Sequence, residues 1–178
     1  MASRERRVVH QERPLARRCA LQALYTAEIC GESPSRIIEG DAFLGEEPSD
    51  YAVMLVQRCE AHRAGIDKQL TSSSENWSLA RMPVVDRCIL RMAVCEMLYV
   101  DDVPVSVSIN EAVELAKAFG GEDESPRFVN GVLGRIARSL EAERGASAEG
   151  PEGVAGNPPV VPDGELSASP DAQESCDG

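Results

Sequence analysis

The side chains best suited to metal binding or nucleophilic chemistry are six cysteines and two histidines. No two cysteines have Cys-x-x-Cys spacing, and only Cys59 and His62 suggest a ligand pair, at i and i+3 of a predicted helix. A tetrahedral zinc site requires four such ligands. We therefore expect no bound metal and six free thiols, with Cys19, Cys88 and Cys95 packed as small apolar side chains.

Motifs for nucleotide binding or catalysis are missing from the sequence. Neither GxxxxGK[ST] nor GxGxxG occurs, so neither of the usual phosphate-binding loops is indicated. His10 and His62 have no nucleophile pattern beside them. The acidic run 122–124 lacks the spaced ligands of a calcium loop and is interpreted as a solvated connection. The sequence therefore predicts a protein that is not an enzyme and uses no cofactor.

Charge is distributed unevenly along the chain. The formal net charge is −12, yet residues 1–18 contain six arginines and two glutamates. Residues 146–178 contain seven acidic residues and no lysine or arginine. A basic segment of this kind is able to hold phosphate, although the acidic body weakens the attraction.

Apolar residues recur at helical spacing through most of the chain, and no segment alternates as a strand does. A helix is expected to begin near Pro14 and to stop at Gly31. The segment 88–100 is apolar nearly all round, which is typical of a central helix in a bundle. The sequence predicts an all-α bundle of about seven helices, spanning roughly 14–30, 34–44, 49–70, 83–100, 107–119 and 126–140, with one further turn within 77–83.

The two ends of the chain differ from this helical body. Residues 1–12 are predicted to be a flexible basic arm, which leaves 13–145 as the helical domain. Residues 146–178 contain five prolines and five glycines but no aromatic residue, so a disordered acidic tail is expected. No window approaches the roughly 18 apolar residues of a membrane span, and no signal-peptide core follows the N-terminus. We expect a cytoplasmic protein without membrane association.

Three segments resemble the NusB family of transcription antitermination proteins. The first is ARRCALQALY at 16–25, and the second is DRCILR at 86–91 together with Glu96. The third pairs VPVSVSINEAVELAK at 103–117 with RFVNGVL at 127–133. They occur in the family's order across about residues 13–140, and the combination of INEAVELAK with FVNGVL is highly specific.

The resemblance implies a compact NusB-like helical bundle in two subdomains. The sequence leaves both a monomer and a homodimer open. It also implies a non-catalytic factor that binds the boxA element of ribosomal RNA transcripts. The implied partners are NusE, a ribosomal small-subunit protein, and the RNA polymerase antitermination complex. The expected role is to help RNA polymerase resist termination.

Residues for RNA contact follow from the resemblance and from the chemistry of single-stranded RNA, which stacks on aromatic rings and holds cations on its phosphates. The resemblance places five residues on the RNA-facing side: Tyr25, Arg91, Phe119, Phe128 and Asn130. The cations expected beside RNA are Arg13, Arg17, Arg18, Lys117 and Arg127. Three of these residues have another interpretation. Phe119 and Phe128 are of a type that is commonly buried in the core, and an arginine on a buried helix, such as Arg91, is commonly paired with a carboxylate.

Two other functions remain open at this point. One is a NusB-like protein–protein adaptor that does not bind RNA, which the acidic body permits. The other is a non-catalytic relative of the N-terminal domain of ribosomal RNA cytosine methyltransferases. A methyltransferase needs a methyl-donor-binding domain of about 100–200 residues after the helices, and only the acidic tail follows Arg144.

Overall fold

The computed structural model describes residues 2–40, 47–73, 78–121 and 124–148, with side chains placed among them from Glu12 to Arg144. Within these ranges the chain is helical and has no strand, which confirms the predicted all-α fold of about seven helices. The elements are α1 (Ala2–Cys30), α2 (Pro34–Glu39), α3 (Asp50–Ala61), α4 (Arg63–Ser73), a 3-10 turn (Leu79–Arg81), α5 (Val84–Tyr99), α6 (Val105–Phe119) and α7 (Glu124–Ala148).

The helices pack in two groups around α5. Helices α1, α2 and α3 contact one another, and α4 and α6 pack with α5 and α7. Helix α5 also contacts α1 and α3, so it lies between the two groups. Its residues from Cys88 to Leu90 and from Met92 to Met97 are all buried, as its all-round apolar sequence predicted. None of the described helices has the length and apolarity to cross a membrane.

Local signals account for several helix ends. The side chains of Ser33 and Ser49 accept hydrogen bonds from the backbone N–H groups of Arg36 and Ala52, which satisfies first-turn donors that have no partner within the helix. Gly31 has φ of 70° and its N–H donates to the carbonyl of Ala27. Glycine adopts this left-handed conformation without steric cost, so α1 stops where the sequence predicted.

The start of α1 differs from the prediction. The helix begins at Ala2 and continues through Pro14, where a flexible arm and a helix start near Pro14 were expected. Residues 4–7 and 11–13 are mostly arginine, glutamate and glutamine, which have high helix propensity. Arg13 also anchors the segment, because it pairs with Asp102 and its guanidinium carbon lies 4.8 Å from the centre of the Tyr51 ring.

The other boundaries differ less. The single helix predicted over 49–70 is divided at His62, where φ is −105° and ψ is 14°, and the His62 ring stacks on Tyr99 at 3.9 Å. The bend allows α4 to contact both α5 and α7. Helix α2 ends at Glu39, and residues 41–46 lie outside the described ranges. Helix α7 continues to Ala148, so the first three residues of the predicted disordered tail 146–178 are helical, and its remainder from 149 onward also lies outside the described ranges.

The junction between α6 and α7 requires a glycine. A Cβ atom on Gly120 would lie 2.2 Å from Oγ of Ser125, closer than any real contact. The buried Ser125 hydroxyl donates to the buried carboxylate of Asp86. A buried carboxylate needs such a donor. This hydrogen bond joins the start of α7 to the start of α5 and places Phe119, at the end of α6, in the same region.

A buried ion pair connects four helices. Nε of Arg17 in α1 donates to Glu96 in α5 at 2.9 Å, and Nη1 donates to Glu111 in α6 at 3.1 Å. The Tyr51 hydroxyl in α3 also donates to Glu96. The side chains of Arg17 and Glu96 are 4% and 2% exposed. Burial and the hydrogen bond to Glu96 raise the pKa of Tyr51 above its ordinary value, so the phenol remains a donor.

We expect Arg17→Met to lower the free energy of unfolding by about 3–5 kcal/mol, because it leaves the Glu96 carboxylate buried without its cation. The double variant Arg17→Met/Glu96→Leu should recover much of that loss. Urea unfolding measures both changes. Arg36→Ala, at an exposed position, is the control and should change stability by less than about 0.5 kcal/mol. A single variant as stable as the parent would contradict this role of the pair.

Candidate nucleic-acid interface

One face of α1 remains exposed and carries large apolar side chains. Leu15, Tyr25 and Ile29 are 64%, 41% and 59% exposed. With Arg18 and Gln22 they follow a spacing of three and four residues, which places all five on one side of a helix. Apolar side chains that remain exposed in one contiguous stripe commonly mark a binding site.

The part of this face from Leu15 to Tyr25 forms one wall of a groove of about 1190 Å³. From α1 the groove is lined by residues between Glu12 and Tyr25. The other walls are the segment 47–49 before α3, the segment 83–85 at the start of α5, and Phe119 at the end of α6. The groove therefore depends on the α6–α7 junction and on the start of α5, which the Ser125–Asp86 hydrogen bond holds together.

Aromatic and planar groups are exposed within this groove. Phe119 is 50% exposed, and the guanidinium carbon of Arg18 lies 6.0 Å from the centre of its ring. Tyr25, also in the lining, presents a second ring. Unpaired nucleobases stack on such rings and on guanidinium planes. Leu15 and the segment 83–85 supply apolar surface beside the rings.

The described lining of the groove has little positive charge. Among the lining residues that the structure describes, Arg18 is the one cationic side chain, and Glu12 and Glu47 add two carboxylates. The described walls therefore do not provide a row of lysines and arginines along which the RNA phosphates could bind. Their chemistry is suited to bases rather than to the RNA backbone.

The structure brings three of the sequence-predicted RNA residues together, namely Arg18, Tyr25 and Phe119. Lys117 is exposed near the end of α6 and pairs with Glu114 at 2.7 Å. Arg127 and Asn130 are exposed in the first turns of α7. Phe128 is half-buried and packs against the hydrophobic core, as in its other interpretation as a core residue.

Three predicted arginines lie elsewhere. Arg17 is 3% exposed and is held by Glu96 and Glu111, so the expectation that it contacts phosphate is corrected to a role in the core. Arg13 lies beside Tyr51 and pairs with Asp102. The side chain of Arg91 is 11% exposed and pairs with Glu28 and Asp67. Arg91 is therefore an arginine paired with carboxylates on a buried helix. These side chains position α1 and do not line the groove.

The groove is also lined by residues that were not predicted from the sequence to contact RNA. Leu15, Cys19 and Gln22 line it from α1, and Val84 and Val85 line it from α5. The spacing of Arg18, Gln22 and Tyr25 on one face was a usable signal for the α1 wall. Nothing in the sequence alone indicated that the start of α5 and the end of α6 meet there, because that depends on tertiary packing.

An ion network around Glu28 fixes the far end of α1. Glu28 accepts hydrogen bonds from Arg63, from Arg87 at 2.8 Å and from Arg91 at 2.9 Å. Arg91 also donates twice to Asp67, at 2.7 and 3.0 Å. Burial alone would raise the pKa of Glu28, but the hydrogen bond from Arg87 and the charges of the other arginines outweigh it and lower the pKa.

The fold and the groove define a helical-bundle protein that exposes aromatic rings in a groove suited to unpaired bases. The family model "NusB family" matches residues 14–138. The chain is 48% identical over 125 residues to the transcription antitermination protein NusB of Saccharopolyspora erythraea, covering 68% of this chain and 84% of that protein. It is 44% identical over 130 residues to that of Bacillus mycoides, covering 72% and 99%. The chain belongs to the NusB family.

Solved structures agree with this assignment. The NusB structure of T. maritima has a TM-score of 0.64 and 36% identity, with 71% of this chain and 90% of that chain covered. A crystal structure of the antitermination factors NusB and NusE in complex with dsRNA has a TM-score of 0.62 and 26% identity, covering 72% and 98%. The helical arrangement described above is thus the one found in this family.

The lowered pKa of Glu28 predicts a loss of stability in acid. A carboxyl group with a lowered folded-state pKa stabilises the fold above its unfolded pKa of about 4.3, and that contribution is lost as pH falls through the folded value. The free energy of unfolding should therefore decline below about pH 4.5. In Glu28→Gln that decline should be shallower, whereas Glu32→Gln, at an exposed position, should follow the parent. Equal acid sensitivity of the parent and Glu28→Gln, measured by urea unfolding across pH, would contradict this assignment.

Proposed function

We propose that this chain is a transcription antitermination factor that binds boxA RNA of ribosomal RNA transcripts together with NusE and helps RNA polymerase resist termination. The observation that carries the proposal is the convergence of Arg18, Tyr25 and Phe119 on one groove of a NusB-family fold. The factor acts in the cytoplasm and catalyses no reaction.

The groove supports binding of single-stranded RNA through its bases. The rings of Tyr25 and Phe119 offer two stacking surfaces, and base–aromatic stacking is worth about 1–3 kcal/mol per base. Arg18 lies over Phe119, where its planar guanidinium extends the stacking surface and its charge remains available to a phosphate. Lys117 and Arg127 add exposed cations on α6 and α7. The basic first turns of α1 extend the same helix that forms the groove wall.

NusE has a clear place in this proposal. The described lining of the groove has a single cation, Arg18. A partner that supplies further positive charge would add the phosphate contacts that these walls lack. A solved complex of NusB and NusE with dsRNA supports the expectation that the two proteins bind RNA jointly.

A second candidate is the protein–protein adaptor that does not bind RNA. It is favoured by the apolar side chains of the groove and by the carboxylates Glu12 and Glu47 among its lining residues. The adaptor would bind an apolar protein segment at the same groove. The two functions differ in whether substitutions there change RNA affinity.

We expect Tyr25→Ala to weaken binding of boxA RNA in the presence of NusE by roughly 1–3 kcal/mol, which is about fivefold to 150-fold in Kd. Ile29→Ala is a matched control, because Ile29 is exposed one turn further along α1 but does not line the groove. Arg18→Ala should also weaken binding, whereas Arg36→Ala should not. Fluorescence anisotropy with labelled RNA measures these affinities, and circular dichroism verifies folding. RNA binding unchanged in both Tyr25→Ala and Arg18→Ala would favour the adaptor.

A further inference from the structure

Two exposed carboxylates line the groove, and neither has a cationic partner in the part of the chain that the structure describes. Glu12 is on α1, and Glu47 is in the segment before α3. Neither has a hydrogen bond or ion pair with any residue that the structure describes. Glu28 and Glu96, by contrast, are bound by two or more donors each.

Carboxylates in a binding groove oppose RNA binding unless they accept hydrogen bonds from the bases. Their charge repels phosphate, and each loses hydrogen bonds to water when a ligand covers it. A nucleobase recovers that loss when it donates N–H groups to the carboxylate oxygens. Glutamate and aspartate recognise bases in this way, as acceptors.

Guanine matches a carboxylate better than the other bases do. Its Watson–Crick edge has two adjacent donors, N1–H and the N2 amino group, which reach both oxygens of one carboxylate. Adenine and cytosine each present one amino group next to an acceptor nitrogen. Uracil presents one N3–H between two carbonyl oxygens, which the carboxylate repels.

We propose that Glu12 and Glu47 make this groove selective for guanine in single-stranded RNA, by accepting hydrogen bonds from its Watson–Crick edge. The inference rests on the proposed RNA-binding function and adds a base preference to it. Along α1, Glu12 lies about 9 Å from Arg18 and about 20 Å from Tyr25, at 1.5 Å per residue. The guanine read by Glu12 is therefore nearer to the base on Phe119 than to the base on Tyr25.

The experiment uses the full chain with NusE and four RNA probes. The probes are oligouridylate and the same oligomer with one central guanine, adenine or cytosine. We compare the parent with Glu12→Gln/Glu47→Gln and with the two single variants. Glutamine keeps the size of the side chain and removes the charge. Glu32→Gln/Glu141→Gln is the matched control, because it changes the net charge equally at exposed positions outside the groove.

The parent should bind the guanine probe about tenfold more tightly than oligouridylate, as expected for a two-bond contact to a base edge. The groove double variant should lose most of this preference, and the single variants identify which carboxylate reads the base. The control should retain the preference and bind all four probes slightly more tightly. A groove double variant that keeps the guanine preference, or tightens on all four probes as the control does, overturns the inference.

Failure of the proposed function has a different signature. If the parent with NusE binds neither these probes nor boxA RNA, the RNA-binding function itself is wrong, and the base preference falls with it. If the parent binds all four probes equally, only the guanine inference is overturned. The Tyr25→Ala measurement then still tests the groove as an RNA site.

Discussion

The buried contact of Arg17 with Glu96 sets the orientation of α1. That orientation determines which face of α1 is exposed and forms a wall of the groove. An uncompensated charge in a core is strongly destabilising, so α1 is constrained to point Arg17 towards α5 and α6. The next residue, Arg18, is turned by about 100° and faces outward. Residues three, four and seven positions from Arg18 share its side of the helix, namely Leu15, Gln22 and Tyr25. One buried pair thus determines which residues line the groove.

Much of this fold follows from local sequence signals, whereas the roles of the individual arginines do not. The all-α class, the end of α1 at Gly31 and the burial of α5 were predicted from periodicity and helix-stop residues. Arg17 and Arg18 are neighbours of the same type, and a basic segment alone does not separate a core residue from a surface residue. A signal existed, because Arg17 is three, four and seven residues before the buried Ala20, Leu21 and Leu24. Glu96, one of the two charged residues in the apolar stretch 88–100, was its available partner.

The features that the sequence did not predict depend on contacts between distant segments. The bend at His62 follows from no proline or glycine at that position, and it coincides with the stacking of His62 on Tyr99, 37 residues later in the chain. The continuation of α1 through Pro14 is supported by Arg13, which reaches Tyr51 and Asp102. The groove itself combines α1, α5 and the end of α6. Predicting such a groove requires knowledge of packing, although the family resemblance already led us to expect Tyr25 and Phe119 on the RNA-facing side.

The acidic net charge of the chain is compatible with the proposed binding of RNA in the groove, because electrostatic interactions between exposed groups are short-ranged. At physiological salt, charges are largely screened beyond about 8 Å, so carboxylates remote from the groove contribute little to RNA binding there. Among the described lining residues, one cation and two carboxylates leave little attraction for phosphate, so under the proposed function stacking on Tyr25 and Phe119 would be the main favourable term. A site of this kind weakens less with salt than a lysine-rich one. It also depends more on which bases the RNA presents, because its affinity comes from base contacts rather than from the uniform backbone.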